Sequence, residues 1–196
     1  MKPGWMRSSR WASALLGVAL VSVVATPAQR PSGAKRANEL TLAGVRPGRD
    51  TLAEALKRYK AKYLTQAAAA GPREWRDACT GRSLTLEVDA RMVIQEITVS
   101  ALAPRDGKCD DRHIDEMNMK DWVSGLGLHL GDSQDRVAAL YGEPNSTGPS
   151  VKGDTELEFL YYAFDWAGSD VPQVMEVYCA RDTGRVVEIT LAYPSL

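Results

Sequence analysis

Four segments of the chain alternate between apolar and polar residues, and this pattern constrains the fold more than any other feature. They cover residues 83–88, 96–100, 174–179 and 187–192. A period of two gives a strand one buried face and one wet face. Turn-forming residues separate neighbouring segments, as at Thr80-Gly81, Asp89-Ala90 and Asp182-Thr183-Gly184. Such short links predict antiparallel pairing.

The chain also repeats one unit in the same order. Gly44–Gly48 and Gly127–Gly131 each open a unit and precede a helix, and Glu96-Ile97-Thr98 and Glu188-Ile189-Thr190 each lie in the closing strand. Two matches at equivalent places indicate an internal duplication.

Both predicted helices carry terminal signals. Thr51 and Glu54 form a capping box ahead of an apolar stripe that runs from Leu52 to Tyr63. Asp132 can cap the second helix, and Gly142 with the following Pro144 ends it.

Together these patterns predict an α+β fold of two tandem helix-then-antiparallel-meander repeats, with the helices packed on one face of the sheet. The predicted boundaries are a signal peptide at 1–28, a flexible lead-in at 29–38, a first α/β repeat at 39–103, an acidic linker at 104–123 and a second repeat at 124–196.

The amino end predicts export. Lys2, Arg7 and Arg10 precede the uncharged run 11–25, and Ala25 or Ala28 supplies a cleavage site. The run is shorter than the ~20 residues of a membrane span, and no Cys ends it to accept a lipid. We therefore expect a periplasmic or secreted protein without a membrane span after signal cleavage.

Charge argues against nucleic acid as a partner. The leader holds three of the 24 basic residues and no acidic ones, so the mature chain has 21 basic against 25 acidic residues and a net charge of about −4. Nucleic-acid binding requires a basic face.

Residues 127–144 resemble the opening of the small outer-membrane lipoprotein domain of the β-barrel assembly machinery. That pattern runs Gly, a few residues, Gly, a polar cap, a short helix with Val and Leu, and Gly-x-Pro. The tandem arrangement is similar to that of β-lactamase inhibitor proteins. The resemblance implies a non-enzymatic, protein-binding role. The chain departs from the lipoproteins in lacking a lipidated Cys.

Three cysteines in an exported protein predict one disulfide and one leftover thiol. Cys79 ends the first strand of a meander and Cys109 follows the third, and these two strands end at the same edge. We favour the pair Cys79–Cys109, with Cys109–Cys179 as the alternative. Cys179 lies on the apolar face of its strand, where a thiol is inert.

The chain shows no catalytic constellation and no cofactor motif, so we predict that it is not an enzyme. The Gly-x-x-x-Gly turns lack the Gly-Lys-Ser/Thr of a phosphate loop. Carboxylates surround His113 in residues 109–116, but without the ladder of a calcium loop, so a solvated linker is favoured over a metal site. His129 lies within the second turn, where we expect it to pack or cap.

The open face of the sheet is the candidate site. Polar and aromatic side chains are expected to share it, and the predicted partner-binding residues are Glu87, Glu96, Thr98, Tyr162, Glu176, Tyr178, Glu188 and Thr190. Aromatic residues among acidic ones are common in protein-recognition surfaces. The alternative interpretation of this face is that it is merely solvated, as is typical of antiparallel sheets. We predict a protein-interaction module for another exported or envelope protein, with a small-ligand or metal binder as the alternative.

Overall fold

The computed structural model describes residues 38–59, 72–77, 79–103, 122–164 and 173–193. These residues form two helices and seven strands. In chain order they are α1 (Leu52–Arg58), β1 (Arg73–Asp77), β2 (Arg82–Val88), β3 (Ile94–Ser100), α2 (Gln134–Tyr141), β4 (Ser146–Lys152), β5 (Thr155–Phe164), β6 (Gln173–Ala180) and β7 (Val186–Ala192).

All seven strands belong to one antiparallel sheet with the order β1-β2-β3-β7-β6-β5-β4. Strands that follow one another in the chain pair with one another in two groups, β1 to β3 and β4 to β7. The two groups join where β3 pairs with β7. The edges of the sheet are β1 and β4.

The predicted α+β fold of two helix-then-meander repeats is therefore wrong. One seven-stranded sheet dominates, and the helices have only 7 and 8 residues. The first helix ends at Arg58 with Tyr59 as its C-cap, and Tyr63, at the end of the predicted apolar stripe, lies outside the described residues. The edge strand β4 was not expected, because Gly148 and Pro149 break its alternation.

The four alternating segments do form strands, namely β2, β3, β6 and β7. In β2, for example, Leu84 and Leu86 are buried, whereas Thr85 between them is half-exposed. The turns at Thr80-Gly81 and Asp182-Thr183 connect neighbouring strands.

Side chains cap the amino ends of both helices, and one of the two caps differs from the prediction. The capping box of Thr51 and Glu54 is present at α1. The N-cap of α2 is Ser133 rather than the predicted Asp132, whose carboxylate instead accepts the His129 N–H at 2.8 Å. Gly142 ends α2 with a φ of 72°, as predicted.

The core lies on one face of the sheet, beneath both helices. Leu52 and Ala55 from α1 and Val137 and Tyr141 from α2 belong to the same buried cluster as the apolar side chains of the strands. Trp122 is also buried there, so the carboxyl end of the predicted linker is part of the fold. Within the described ranges no helix is long and apolar enough to cross a membrane.

A buried carboxylate ties the start of the described chain to the second glycine turn. Glu39 is 1% exposed. Its two oxygens accept five hydrogen bonds, from the N–H groups of Leu40, Thr41, Gly125 and Leu126 and from the Tyr141 hydroxyl. Buried charge is tolerated only when it is satisfied in this way. A Cβ at Gly125 would lie 2.6 Å from this carboxylate, so the approach requires glycine.

The two glycine turns make equivalent hydrogen bonds to the sheet. The Gly48 N–H donates to the Ile94 carbonyl at 2.7 Å, and the Gly131 N–H donates to the Val186 carbonyl at 2.7 Å. Both glycines have positive φ, 75° and 91°. Both turns are therefore hydrogen-bonded to the sheet, as expected of turns that specify the fold, and the duplication stays a prediction.

Candidate interaction surface

The face of the sheet opposite the core is lined mainly by polar side chains. Alternation along the strands places them on one side, and the register of the pairs brings them together. We call this set the concave face: Thr85, Glu87, Glu96, Thr98, Lys152, Val174, Glu176, Tyr178, Glu188, Thr190 and Ala192.

Three threonines form a row across the middle of the concave face. Thr85 pairs with Thr98, and Thr98 pairs with Thr190, on β2, β3 and β7. The hydroxyls of Thr98 and Thr190 are 2.8 Å apart. Threonine suits this position because its β-branched side chain fits a pleated surface and its hydroxyl can bond across strands.

Carboxylates gather beside the threonine row. On one side of the row, Glu96 pairs with Glu87 on β2. Glu176 pairs with Thr190 and so continues the row on β6, and Glu188 lies on the other side of the row on β7. Burial raises the pKa of Glu96, and the charge of Glu87 raises it further, followed by those of Glu176 and Glu188. The concave face therefore holds like charges that oppose one another.

Among the described residues that line the hollow, Lys152 is the single base. Its ammonium contacts the Glu188 carboxylate and lies 3.8 Å from the centroid of the Tyr178 ring. A cation over an aromatic face and beside a carboxylate is doubly stabilised.

The contact between Lys152 and Glu188 shows that the sheet curls. Lys152 is on the edge strand β4 and Glu188 is on β7, three strands away. Through Tyr178 and Phe159 the register aligns Glu188 with Gly148, four residues before Lys152 on β4. In a flat sheet three strand spacings and four residue rises would separate the two Cα atoms by about 19 Å, farther than the lysine and glutamate side chains reach together. The polar face must therefore lie on the inside of the curve, and it encloses a hollow of about 390 Å³.

Aromatic rings flank the carboxylates. The Tyr178 hydroxyl donates to Glu176 at 3.0 Å, and its ring lies 5.2 Å from that of Phe159 on β5. Tyr161 packs next to Phe159 at 6.3 Å. Burial raises the pKa of Tyr178, and the charge of Glu176 adds to the shift, so this phenol stays neutral and remains a donor.

Chemically, this arrangement is suited to a positively charged group. It combines carboxylates in a hollow, rings whose faces attract cations, and hydroxyls that can bond a polar chain.

The structure brings seven of the eight predicted site residues together on the concave face, and the exception is Tyr162. Tyr162 is fully buried on the core side, with its ring 5.6 Å from that of Tyr141. The prediction was wrong because β5 carries aromatic residues on both faces, and its sequence does not show which ones face the core. In the structure Phe159 and Tyr161 take the open side.

Sequence reasoning missed Lys152, Phe159 and Tyr161. Lys152 lies in β4, which lacks alternation, and its partner is reached across three strands. The aromatic pair was visible in the sequence, but its face was undetermined.

The cysteine pairing is settled in part. Cys179 is a buried free thiol, so the alternative pair Cys109–Cys179 does not form. Burial raises the pKa of the Cys179 thiol to about 11, which keeps it unreactive. Cys109 lies outside the described residues, and its pairing with Cys79 stays a prediction. The Ala103 N–H donates to the Gly81 carbonyl at 3.0 Å, so Ala103 lies beside the turn that contains Cys79.

Other predictions also fall outside the described residues: the signal peptide at 1–28, nearly all of the lead-in at 29–38, and the acidic segment 109–116 with His113. Within the described ranges no three His, Cys, Asp or Glu side chains are arranged to hold a metal ion. His129 is half-exposed and lies 3.8 Å from Asp132.

No protein-family model and no curated protein matches the chain. Among solved structures it is similar to YjgB, a DUF4309 family protein from Bacillus subtilis subsp. subtilis strain 168. The identity is 10%, the TM-score is 0.44, and the similarity covers 80% of this chain and 88% of that chain. So low a score and identity show neither a shared family nor a shared function. The resemblance to small outer-membrane lipoproteins and β-lactamase inhibitor proteins stays a prediction.

Proposed function

We propose that this chain is an exported, non-enzymatic interaction module that binds another exported or envelope protein through the concave face. The observation that carries the proposal is the gathering of carboxylates and aromatic rings in one hollow of an otherwise open sheet face.

A merely solvated sheet face does not account for this gathering. Antiparallel sheets commonly expose one polar face to water, but such a face gains nothing by holding carboxylates close together. The raised pKa of Glu96, which burial and the neighbouring charges cause, shows that its ionised form is disfavoured. Side chains whose pKa is shifted by burial and by neighbouring charges are common at functional sites.

The composition of the surface favours a protein partner. Aromatic residues supply large contact area at little conformational cost and often dominate interface energetics. Here Tyr178, Phe159 and Tyr161 lie beside charged groups that can set specificity.

A small-ligand binder is the second candidate. The hollow of about 390 Å³ falls within the size range of small-molecule sites. A small ligand would leave no protein bound after crosslinking, and it would raise the melting temperature on addition of the pure compound.

The test compares partner capture by matched variants. The tagged mature domain is crosslinked in envelope and medium fractions of its own host, as wild type, as E96K/E176K and as the control E156K/D182K. The control charges are exposed and lie outside the concave face. Glu188 is left intact because it is buried and paired with Lys152.

We expect wild type and the control to capture one protein at stoichiometric yield. E96K/E176K should lose this protein while keeping the wild-type circular dichroism spectrum and a cooperative melting transition. Equal capture by E96K/E176K would remove the concave face from consideration.

A further inference from the structure

Resting on the proposed function, we propose that the concave face recognises a lysine-bearing segment of the partner, and that one partner ammonium takes the place that Lys152 holds in the free protein.

Charge complementarity identifies the partner as cationic. Within the described part of the chain, three glutamates and one lysine line the hollow, so this lining carries an excess of negative charge even with Lys152 in place. A partner that brings positive charge relieves the mutual repulsion of the carboxylates, whereas an acidic or neutral partner does not.

The chain itself shows that the hollow accepts an ammonium. The Lys152 ammonium lies against the Glu188 carboxylate and 3.8 Å from the Tyr178 ring centroid. The Tyr178 ring is held in position by its hydroxyl bond to Glu176 and by the Phe159 ring. The Glu188 carboxylate and the Tyr178 ring therefore form a compact site for a single ammonium group, which we call the seat.

That seat suits lysine better than arginine or a metal ion. Guanidinium groups gain most from a bidentate carboxylate, whereas an ammonium needs one oxygen and a ring face. Within the described ranges no three His, Cys, Asp or Glu side chains lie close enough together to hold a metal ion.

Exposure indicates which half of the ion pair can exchange. The Glu188 side chain is 10% exposed and therefore fixed, whereas the Lys152 side chain is 39% exposed. Lys152 is also the last residue of the edge strand β4, next to the turn at Gly153. A lysine held in one conformation loses rotamer entropy, which it regains when it leaves the seat.

The test measures binding of a defined peptide by isothermal titration. The probe is a capped pentapeptide with two lysines separated by one threonine, and its control is the same peptide with both lysines acetylated. The protein variants are wild type, K152M, which keeps the length without the charge, K152R, which keeps the charge, and K152M/E188Q.

We expect K152M to bind the lysine peptide about tenfold more tightly than wild type, because the competing ammonium is gone. K152R should fall between wild type and K152M, because a guanidinium competes for the site less well than an ammonium. K152M/E188Q should lose the gain, and the acetylated peptide should bind none of the variants. Y178L on the K152M background is the second test, to be used should E188Q disturb folding. It removes the ring and leaves the Glu188 carboxylate in place, and it should weaken binding of the lysine peptide.

Equal affinity of K152M and wild type for the lysine peptide would overturn the inference. If E96K/E176K still loses the native partner in that case, the concave face is the binding surface but lysine is not what it reads. If E96K/E176K keeps the native partner, the proposed function itself fails, whatever the peptide does.

Discussion

The hydroxyl oxygens of Thr98 and Thr190 lie 2.8 Å apart where β3 pairs with β7. These residues end the two Glu-Ile-Thr tripeptides of the sequence, so the equivalent positions of the two predicted units meet each other directly. The pair also joins the two halves of the sheet at its centre and forms the floor of the concave face.

We expect T190V to lower the free energy of unfolding by about 1 kcal/mol, because it leaves the Thr98 hydroxyl without this partner. The double variant T98V/T190V should cost less than the sum of the two single variants, since it removes both polar groups together. Urea unfolding measures both, with T147V on the exposed edge strand as the control. Strict additivity would show that the two hydroxyls do not interact.

Replacing Glu39 should cost more than any surface substitution. E39A removes the acceptor of five hydrogen bonds, from four backbone N–H groups and the Tyr141 hydroxyl, and we expect a loss of about 3 kcal/mol or more. Two of these donors keep a second partner, because the Gly125 N–H also donates to the Thr41 carbonyl and the Tyr141 hydroxyl also bonds to that of Ser124. The control E156A breaks an exposed ion pair with Arg181 at 3.7 Å and should cost less than about 1 kcal/mol. Similar unfolding midpoints for the two variants would contradict the role assigned to Glu39.

The pH dependence of stability should change in E96Q. Burial and neighbouring carboxylates raise the pKa of Glu96 above its usual value of 4.5, so its ionised form opposes folding. Well below pH 4.5 the group is neutral in both states and costs nothing, and well above its raised pKa the full cost is present. E96Q should therefore raise the free energy of unfolding at pH 7 and have no effect near pH 3.

A control with the opposite sign is E54Q. Hydrogen bonds from the Thr51 backbone and hydroxyl lower the pKa of Glu54, so its ionised form supports folding. E54Q should destabilise at pH 7, and its effect should fade as the pH falls. A stabilisation by E96Q that is the same at pH 3 and pH 7 would show that charge is not its cause.

The disulfide prediction is testable by peptide mass mapping without reduction. We expect a linked pair of peptides that contain Cys79 and Cys109, and alkylation of Cys179 only after denaturation, because that thiol is buried with a raised pKa. C79S should lower stability by roughly 3–4 kcal/mol on the chain-entropy account of a ~30-residue loop. A map in which Cys79 is alkylated without reduction would refute the pairing.

The strands that the sequence predicted are those with one wet and one buried face. Alternation predicts such strands in β2, β3, β6 and β7, because the polarity of each residue indicates whether it faces the core or the solvent. The edge strand β4 carries Gly148 and Pro149 and has no such pattern, so the extent of the sheet was underestimated.

The polar part of the site was predictable for the same reason, and its closest contacts were not. Lys152 reaches Glu188 only because the sheet curls, and curvature is a property of the whole sheet. Glu39 gains its role from groups as far as 102 residues away in the chain. No local pattern encodes either contact.

Site-specific photocrosslinking in the host is the most direct test of the concave face. A photoreactive phenylalanine derivative replaces Tyr161, which lies in the aromatic group beside the carboxylates, or Met92, which is 44% exposed in the turn between β2 and β3. The account predicts one dominant protein adduct from position 161 and none from position 92. The same adduct from position 92, without one from position 161, would contradict it.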